Sequence, residues 1–239
     1  MRDENFLYKS FGIEIEFKKT NLKDVAKELR KLPLRNKVRR RSGWGKSNGQ
    51  FWDVKTDSSV TKYVGSDRLG GEIASPILYP SKQTFKEIEQ VYNTLNSTGA
   101  KYTRNCGLHM HINITGIDKF KLILALLKFE QNLYEGFSKS RRNTTYAKPI
   151  KRLTEEQIMK KICKKMGEIM IQNKLEKIID CDKYSAFHFY ERDKDKIKML
   201  ELRMGEATGD VEHALEWIKL VLRLLKYSRD EDTMDILTI

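Results

Sequence analysis

Four segments of this chain alternate apolar side chains with acids or imidazoles at period two, and this alternation restricts the fold more than any other feature. In residues 11–17 (FGIEIEF), Ile13, Ile15 and Phe17 share one face while Glu14 and Glu16 share the other. Successive strand side chains point to opposite faces, so this reads as a strand with one buried face and two carboxylates roughly 7 Å apart on the other. Residues 107–114 repeat the pattern: Leu108, Met110, Ile112 and Ile114 face one way, His109, His111 and Asn113 the other. Leu200, Leu202 and Met204 alternate with Glu201 and Arg203. Glu72 stands beside Gly70 and Gly71, which let backbone or ligand approach closely.

Read singly, each segment has a plain alternative. The glutamate pair suits a solvent-facing strand, the histidines a structural role, and Glu201 with Arg203 a surface salt bridge. Together they make a concave surface of carboxylate and imidazole. Hard divalent ions want several carboxylate oxygens, a neutral imidazole can add a ligand, and an arginine can neutralise phosphate charge, which is what magnesium with a nucleotide requires.

Helical spacing fills the intervals between the strands. One helix is expected over about 22–32, and a second carries Phe85, Ile88, Val91, Tyr92 and Leu95, opened near Ser81 and closed by Gly99. A third runs over about 118–137. Thr154-x-x-Gln157 forms a capping box for a helix reaching toward Ile179, and Asp210 can cap a last one with Trp217, Ile218, Val221 and Leu225 on one side. Further strands are expected at 51–54, 70–75, 184–190 and 198–204. Residues 39–50 (RRRSGWGKSNGQ) read as a basic loop over a site; Gly45-Lys46-Ser47 is no phosphate-binding P-loop, because Arg40 stands where the first glycine is needed. The expectation is a single α+β domain over 1–239, with a mostly antiparallel sheet and helices on its apolar face.

Composition supports a folded domain, since a chain of 239 residues can bury about 70% of its extended surface. Lys and Arg total 46 against 33 acids, and the resulting +13 attracts nucleic acid, acidic polymers or polyphosphates such as ATP. Cys106, Cys163 and Cys181 show no metal-binding spacing and read as free thiols. The start lacks an apolar run and the longest aliphatic stretch, 122–127, is too short for a bilayer, so no membrane partner and a cytoplasmic location are expected.

The order ExE, D-x-S, ExxSP, GxHxH, ExR resembles the amidoligase family of the glutamine synthetase-like carboxylate-amine ligases. The motifs are Glu14-Ile15-Glu16, Asp57-Ser58-Ser59, Glu72-Ile73-Ala74-Ser75-Pro76, Gly107-Leu108-His109-Met110-His111 and Glu201-Leu202-Arg203, within a resemblance over about 11–226. It implies a curved, mostly antiparallel half-barrel with helices on its convex face, like the glutamine synthetase catalytic domain. It further implies ATP and two or more Mg2+ ions, with Mn2+ as a substitute. Glu16 and Glu72 would hold one ion near an acyl-phosphate; Glu14, His109 and Glu201 would hold another, bridging the ATP phosphates. His111 and Arg203 would touch phosphates, and Asp57 would complete the first metal site or take a proton from the amine.

Arg141 or Arg142 would bind phosphate or a substrate carboxylate, in a segment resembling an Arg-containing connection of the family. The chain departs from the family pattern at Ser58, where glycine is common, and at His188, where asparagine is. Substrates would be a carboxylate and an amine from peptides, proteins or cell-wall components. The rival readings are a magnesium-dependent phosphoesterase or nuclease, and a non-catalytic nucleic-acid-binding protein using Arg39, Arg40, Arg41, Trp44 and Lys46.

Overall fold

A computed structural model describes residues 6–41, 48–135, 137–143, 147–150, 184–192 and 197–230. The expected helix over 154–179 lies outside these residues, as do Trp44, Lys46, Cys163 and Cys181. The strands are β1 (Phe11–Asn21), β2 (Val38–Arg40), β3 (Trp52–Lys55), β4 (Lys62–Val64), β5 (Asp67–Ala74), β6 (Gly107–Asn113), β7 (Phe187–Arg192) and β8 (Ile197–Glu206). They form one open sheet in the order β2-β3-β5-β1-β6-β8-β7, with β4 paired to β5 beside that path. Every pairing is antiparallel except β2 with β3.

Four helices are described: α1 (Leu22–Leu29), α2 (Lys82–Ser97), α3 (Lys119–Tyr134) and α4 (Val211–Asp230). Two of them start at the expected Ser81 and Asp210, and Asp118 caps a third. Ser81 accepts from Thr84 N at 3.1 Å, Asp118 Oδ1 from Phe120 N at 2.8 Å, and Asp210 Oδ1 from His213 N at 3.0 Å. Gly99, at φ +79°, follows α2. One apolar core joins Ile13, Ile15, Phe17, Met110 and Leu202 of the sheet to Val25, Ile88, Leu126 and Ile218 of the helices. The helices therefore pack on the face that the alternation marks as apolar. No described helix is long and apolar enough to cross a membrane.

The expectation of a loop from residue 39 needs correcting, because Val38–Arg40 is a strand parallel to β3. The pull is electrostatic: Asp53 on β3 is fully buried, and Arg39 meets it with two hydrogen bonds, Nε to Oδ1 at 2.7 Å and Nη2 to Oδ2 at 2.9 Å. Such bidentate pairing fixes geometry as well as charge. Strand β4 was unanticipated, since its three exposed residues carry no apolar alternation.

The paired glycines before Glu72 serve close backbone approach. A Cβ on Gly71 would lie 2.4 Å from Lys55 O and 2.7 Å from Leu22 Cδ2, whereas one on Gly12 would meet only Ser75 Oγ, at 3.5 Å. Forcing strand β3 outward costs about 1–3 kcal/mol. Gly71→Ala should therefore lower the urea midpoint clearly, and Gly12→Ala should change it little.

Candidate active site

The polar face of the sheet is organised by register. Glu72 on β5 lies opposite both Glu16 on β1 and Lys55 on β3. Glu14 lies opposite His109, and Glu201 lies opposite both His111 and His188. All five sequence-expected metal ligands thus share one face with His111 and Arg203. They are inside rather than on an open surface: Glu16, Glu72, His109 and Glu201 are 3–8% exposed.

At one end, carboxylate oxygens of Glu16, Asp57 and Glu72 all lie within 4.8 Å of one another. Asp57 is brought there by the turn after β3. Its backbone N–H donates to Thr61 Oγ1 at 2.9 Å, and its Oδ1 accepts from both the N–H and the hydroxyl of Ser59. Glu16 Oε2 accepts from Gly107 N at 2.6 Å. Burial pushes both glutamates up from the ordinary carboxylate range. At Glu72, Glu14 and Glu16 add to the rise against Lys55; at Glu16, Asp57 adds to it against His109, the Gly107 N–H and Arg141. Three hard oxygen donors whose charges oppose one another suit a divalent cation, which would remove the conflict. Among the described residues no other group of three potential ligands meets so closely.

The remaining groups balance differently. Glu14 Oε2 lies 3.2 Å from His111 Nε2 and 3.6 Å from His109 Nδ1. Although burial pushes Glu14 up, His111, His109 and Lys55 hold it well below the usual range. His111 is raised because Glu14 and Glu201 outweigh burial, and its Nδ1 is 2.9 Å from the Tyr190 hydroxyl. Burial also opposes ionisation of Glu201, but His188, His111, Arg203 and His109 bring it down to about 2. Its Oε1 accepts from Arg203 Nη1, and its Oε2 lies 3.8 Å from His188 Nδ1.

The two candidate arginines part ways in the turn Lys139–Asn143. Arg141 is buried at 2% exposure and donates from Nη2 to Arg203 O at 2.6 Å. Burial lowers its pKa against the opposing pull of Glu16 and Glu206. Arg142 stands over the Tyr134 ring, 5.6 Å from its centroid. Of the basic group at 39–41, Arg39 is held by Asp53 and lies 4.5 Å from the centre of the Phe51 ring.

Lys55 escaped the sequence reading. Its Nζ is 2.8 Å from Glu72 Oε1 and 3.8 Å from Glu14 Oε1, with the side chain 13% exposed, and the two glutamates keep it charged despite burial. The signal was there in Trp52-Asp53-Val54-Lys55, where Asp53 and Lys55 share the polar side of the strand.

The family described as "Putative amidoligase enzyme" matches residues 8–225, nearly the whole chain. The protein belongs to this amidoligase family. It is thereby an enzyme family member with ligase-type chemistry, and all five motifs that carried the resemblance fall within the match. A comparison with curated proteins gives no match. In the amidoligase, His188 lies on the polar face beside Glu201. It stacks on Tyr190 at 5.8 Å and faces Glu201 across the strand pair.

Glu16 offers a test of the charge conflict. Its raised carboxyl binds a proton more tightly in the folded chain than in the unfolded one, so stability falls as pH rises through and above the ordinary carboxylate range. Glu16→Gln removes that loss while its amide oxygen can still accept from Gly107. In EDTA the variant should melt above wild type at pH 7 and near it at pH 4. Added magnesium should raise the wild-type melting temperature only. A variant that melts lower than wild type at pH 7 in EDTA would contradict the conflict.

Proposed function

We propose that this amidoligase joins a carboxylate to an amine at the expense of ATP, through an acyl-phosphate, on a half-barrel like the glutamine synthetase catalytic domain. The observation that carries the reading is the Glu16, Asp57 and Glu72 carboxylate group on the same sheet face as His111, Arg203 and Arg141. The carboxylate–cation end and the imidazole–guanidinium end supply what phosphoryl transfer to a carboxylate needs.

A carboxylate is a poor electrophile because its oxygen is a poor leaving group. Its oxygen attacks the γ-phosphorus of ATP, the bond to the bridging oxygen breaks, and ADP departs with the electron pair. The amine nitrogen then attacks the acyl carbon, the carbon–oxygen bond breaks, and inorganic phosphate leaves with the amide formed. The ammonium must lose a proton before it can attack; Asp57, fixed by Ser59 and less buried than Glu16 and Glu72, either accepts that proton or completes the metal site with them.

Glu16 and Glu72 would hold one Mg2+ or Mn2+; Glu14, His109 and Glu201 would hold a second. Bound there, divalent ions supply charge neutralisation to the phosphate oxygens. His111 and Arg203 donate to those oxygens. Arg141 orients phosphate or the substrate carboxylate, and Arg142, beside it in the same turn, assists. Holding Arg141 through Arg203 O pre-pays the ordering of a long side chain, which is how such groups contribute to positioning. The acceptor would be a peptide, protein or cell-wall component, and the location cytoplasmic.

The test is a screen for magnesium-dependent ADP release across amino acids, polyamines and acidic peptides. One acid–amine pair should release ADP stoichiometrically with amide. Glu16→Gln and Arg203→Gln should each lower the rate about 100-fold or more. Equal ADP release by wild type and Glu16→Gln, or cleavage of nucleic acid without ATP, would overturn the reading.

A further inference from the structure

Strand β8 carries an irregularity that shapes the end of the polar face beyond Glu16. Leu108 pairs with Gly205 and Met110 with Leu202, so Arg203 and Met204 together oppose His109 alone. A bulge of this kind re-aims the side chains that follow it. Glu206 consequently sits opposite Gly107 on the polar face, where regular alternation from Glu201 would have turned it to the helix side. Its two oxygens are engaged, Oε2 by Ser138 N at 2.8 Å and Oε1 by Ser138 Oγ at 3.2 Å.

A cavity of about 610 Å3 opens at this end, with Glu206 in its lining. Its volume suits a small-molecule ligand or a short peptide. Two cations line it, Lys101 and Arg104, and neither makes an ion pair among the described residues. Thr208 adds a hydroxyl, while that of Thr103 already meets Cys106 Sγ at 3.6 Å. His213, also in the lining, has its Nε2 buried and without a hydrogen-bond partner among the described residues. Among the described residues Glu206 is the only lining carboxylate, and Ser138 already satisfies it. The cavity is thus rich in unspent donors and positive charge.

Two backbone links tie this end of the sheet to the carboxylate group. The backbone of Lys101 pairs with that of Lys18, two residues beyond Glu16, at 2.8 and 2.9 Å. Gly107, the register partner of Glu206, donates its N–H to Glu16. We propose that this cavity binds the body of the acid substrate, and that this acid carries at least one further carboxylate beyond the one activated, as a short acidic peptide does. The inference rests on the ligase reading for which substrate occupies it. The phosphates of ATP go to the imidazole–guanidinium row at His111 and Arg203, leaving the Glu206 end to the acid. Lys101, Arg104 and the Thr208 hydroxyl take the extra carboxylate, and the reacting one reaches past Gly107 toward Arg141 and Glu16.

The probe is triglutamate, titrated calorimetrically into the full chain without ATP or magnesium, with triglutamine as the uncharged control. Triglutamate should bind wild type at least ten-fold more tightly than triglutamine, with an affinity that falls as salt rises. Lys101→Glu/Arg104→Glu, exposed positions that leave the core intact, should weaken it at least ten-fold, and Thr208→Trp should do so by occlusion without a change of charge. The affinity for ATP should stay within two-fold in both variants. No triglutamate binding to wild type, equal binding of the two peptides, or loss of ATP affinity in place of triglutamate affinity would overturn the assignment. This readout needs no turnover, so an absence of ADP release sinks the ligase reading while the cavity is still judged by binding.

Discussion

Glu16 and Glu72 stand directly across from each other on the two central strands, and the rest of the polar face can be understood as the means of tolerating that pair. Like charges opposite one another destabilise a sheet, and burial sharpens the cost by removing water. The chain surrounds them with partial compensation: Lys55 on Glu72, the Gly107 N–H on Glu16, and Arg141 and His109 nearby. The compensation is incomplete, since both carboxyls remain raised. A fold that only needed a stable sheet would place threonine or mixed charges there. A fold that binds a cation keeps the conflict for the ion to resolve.

The same sheet face therefore has two electrostatic regimes a few residues apart. Glu14 and Glu201 are held down by imidazoles, Lys55 and Arg203, while Glu16 and Glu72 are pushed up. Carboxylates separated in this way take different roles on one surface. Lys55 joins the two regimes by touching both Glu14 and Glu72. As a fixed ammonium within the group, it offsets part of the negative charge of both.

Much of this was legible in the sequence, for identifiable reasons. Period-two alternation marks which side of a strand is buried without any knowledge of neighbours, so Glu14, Glu16, His109, His111, Glu201 and Arg203 could be placed on one face. Helix starts such as Ser81 and Asp210 are local chemistry and were equally readable. Lys55 was not, because the strand expected over 51–54 stops one residue short of it. The choice between Arg141 and Arg142 was also closed to the sequence: adjacent residues in a single tight turn diverge only once Tyr134 and Arg203 are in place to receive them. Strand β2 depended on the long-range pull of buried Asp53, which composition around Arg39 does not reveal.

The irregularity on β8 is invisible to alternation counted along a single strand. Alternation counted forward from Glu201 assigns Glu206 to the core, where an unpaired carboxylate would be costly. One extra residue opposite His109 moves it to the polar face, and lets Gly205 turn inward against Trp217, where a Cβ would come within 2.9 Å of the indole. The same step directs Arg203 toward Glu201 and leaves its carbonyl for Arg141. A single register shift thus orients Glu206, Arg203 and Arg141 together, and their arrangement is a property of strand pairing that no one segment of sequence contains.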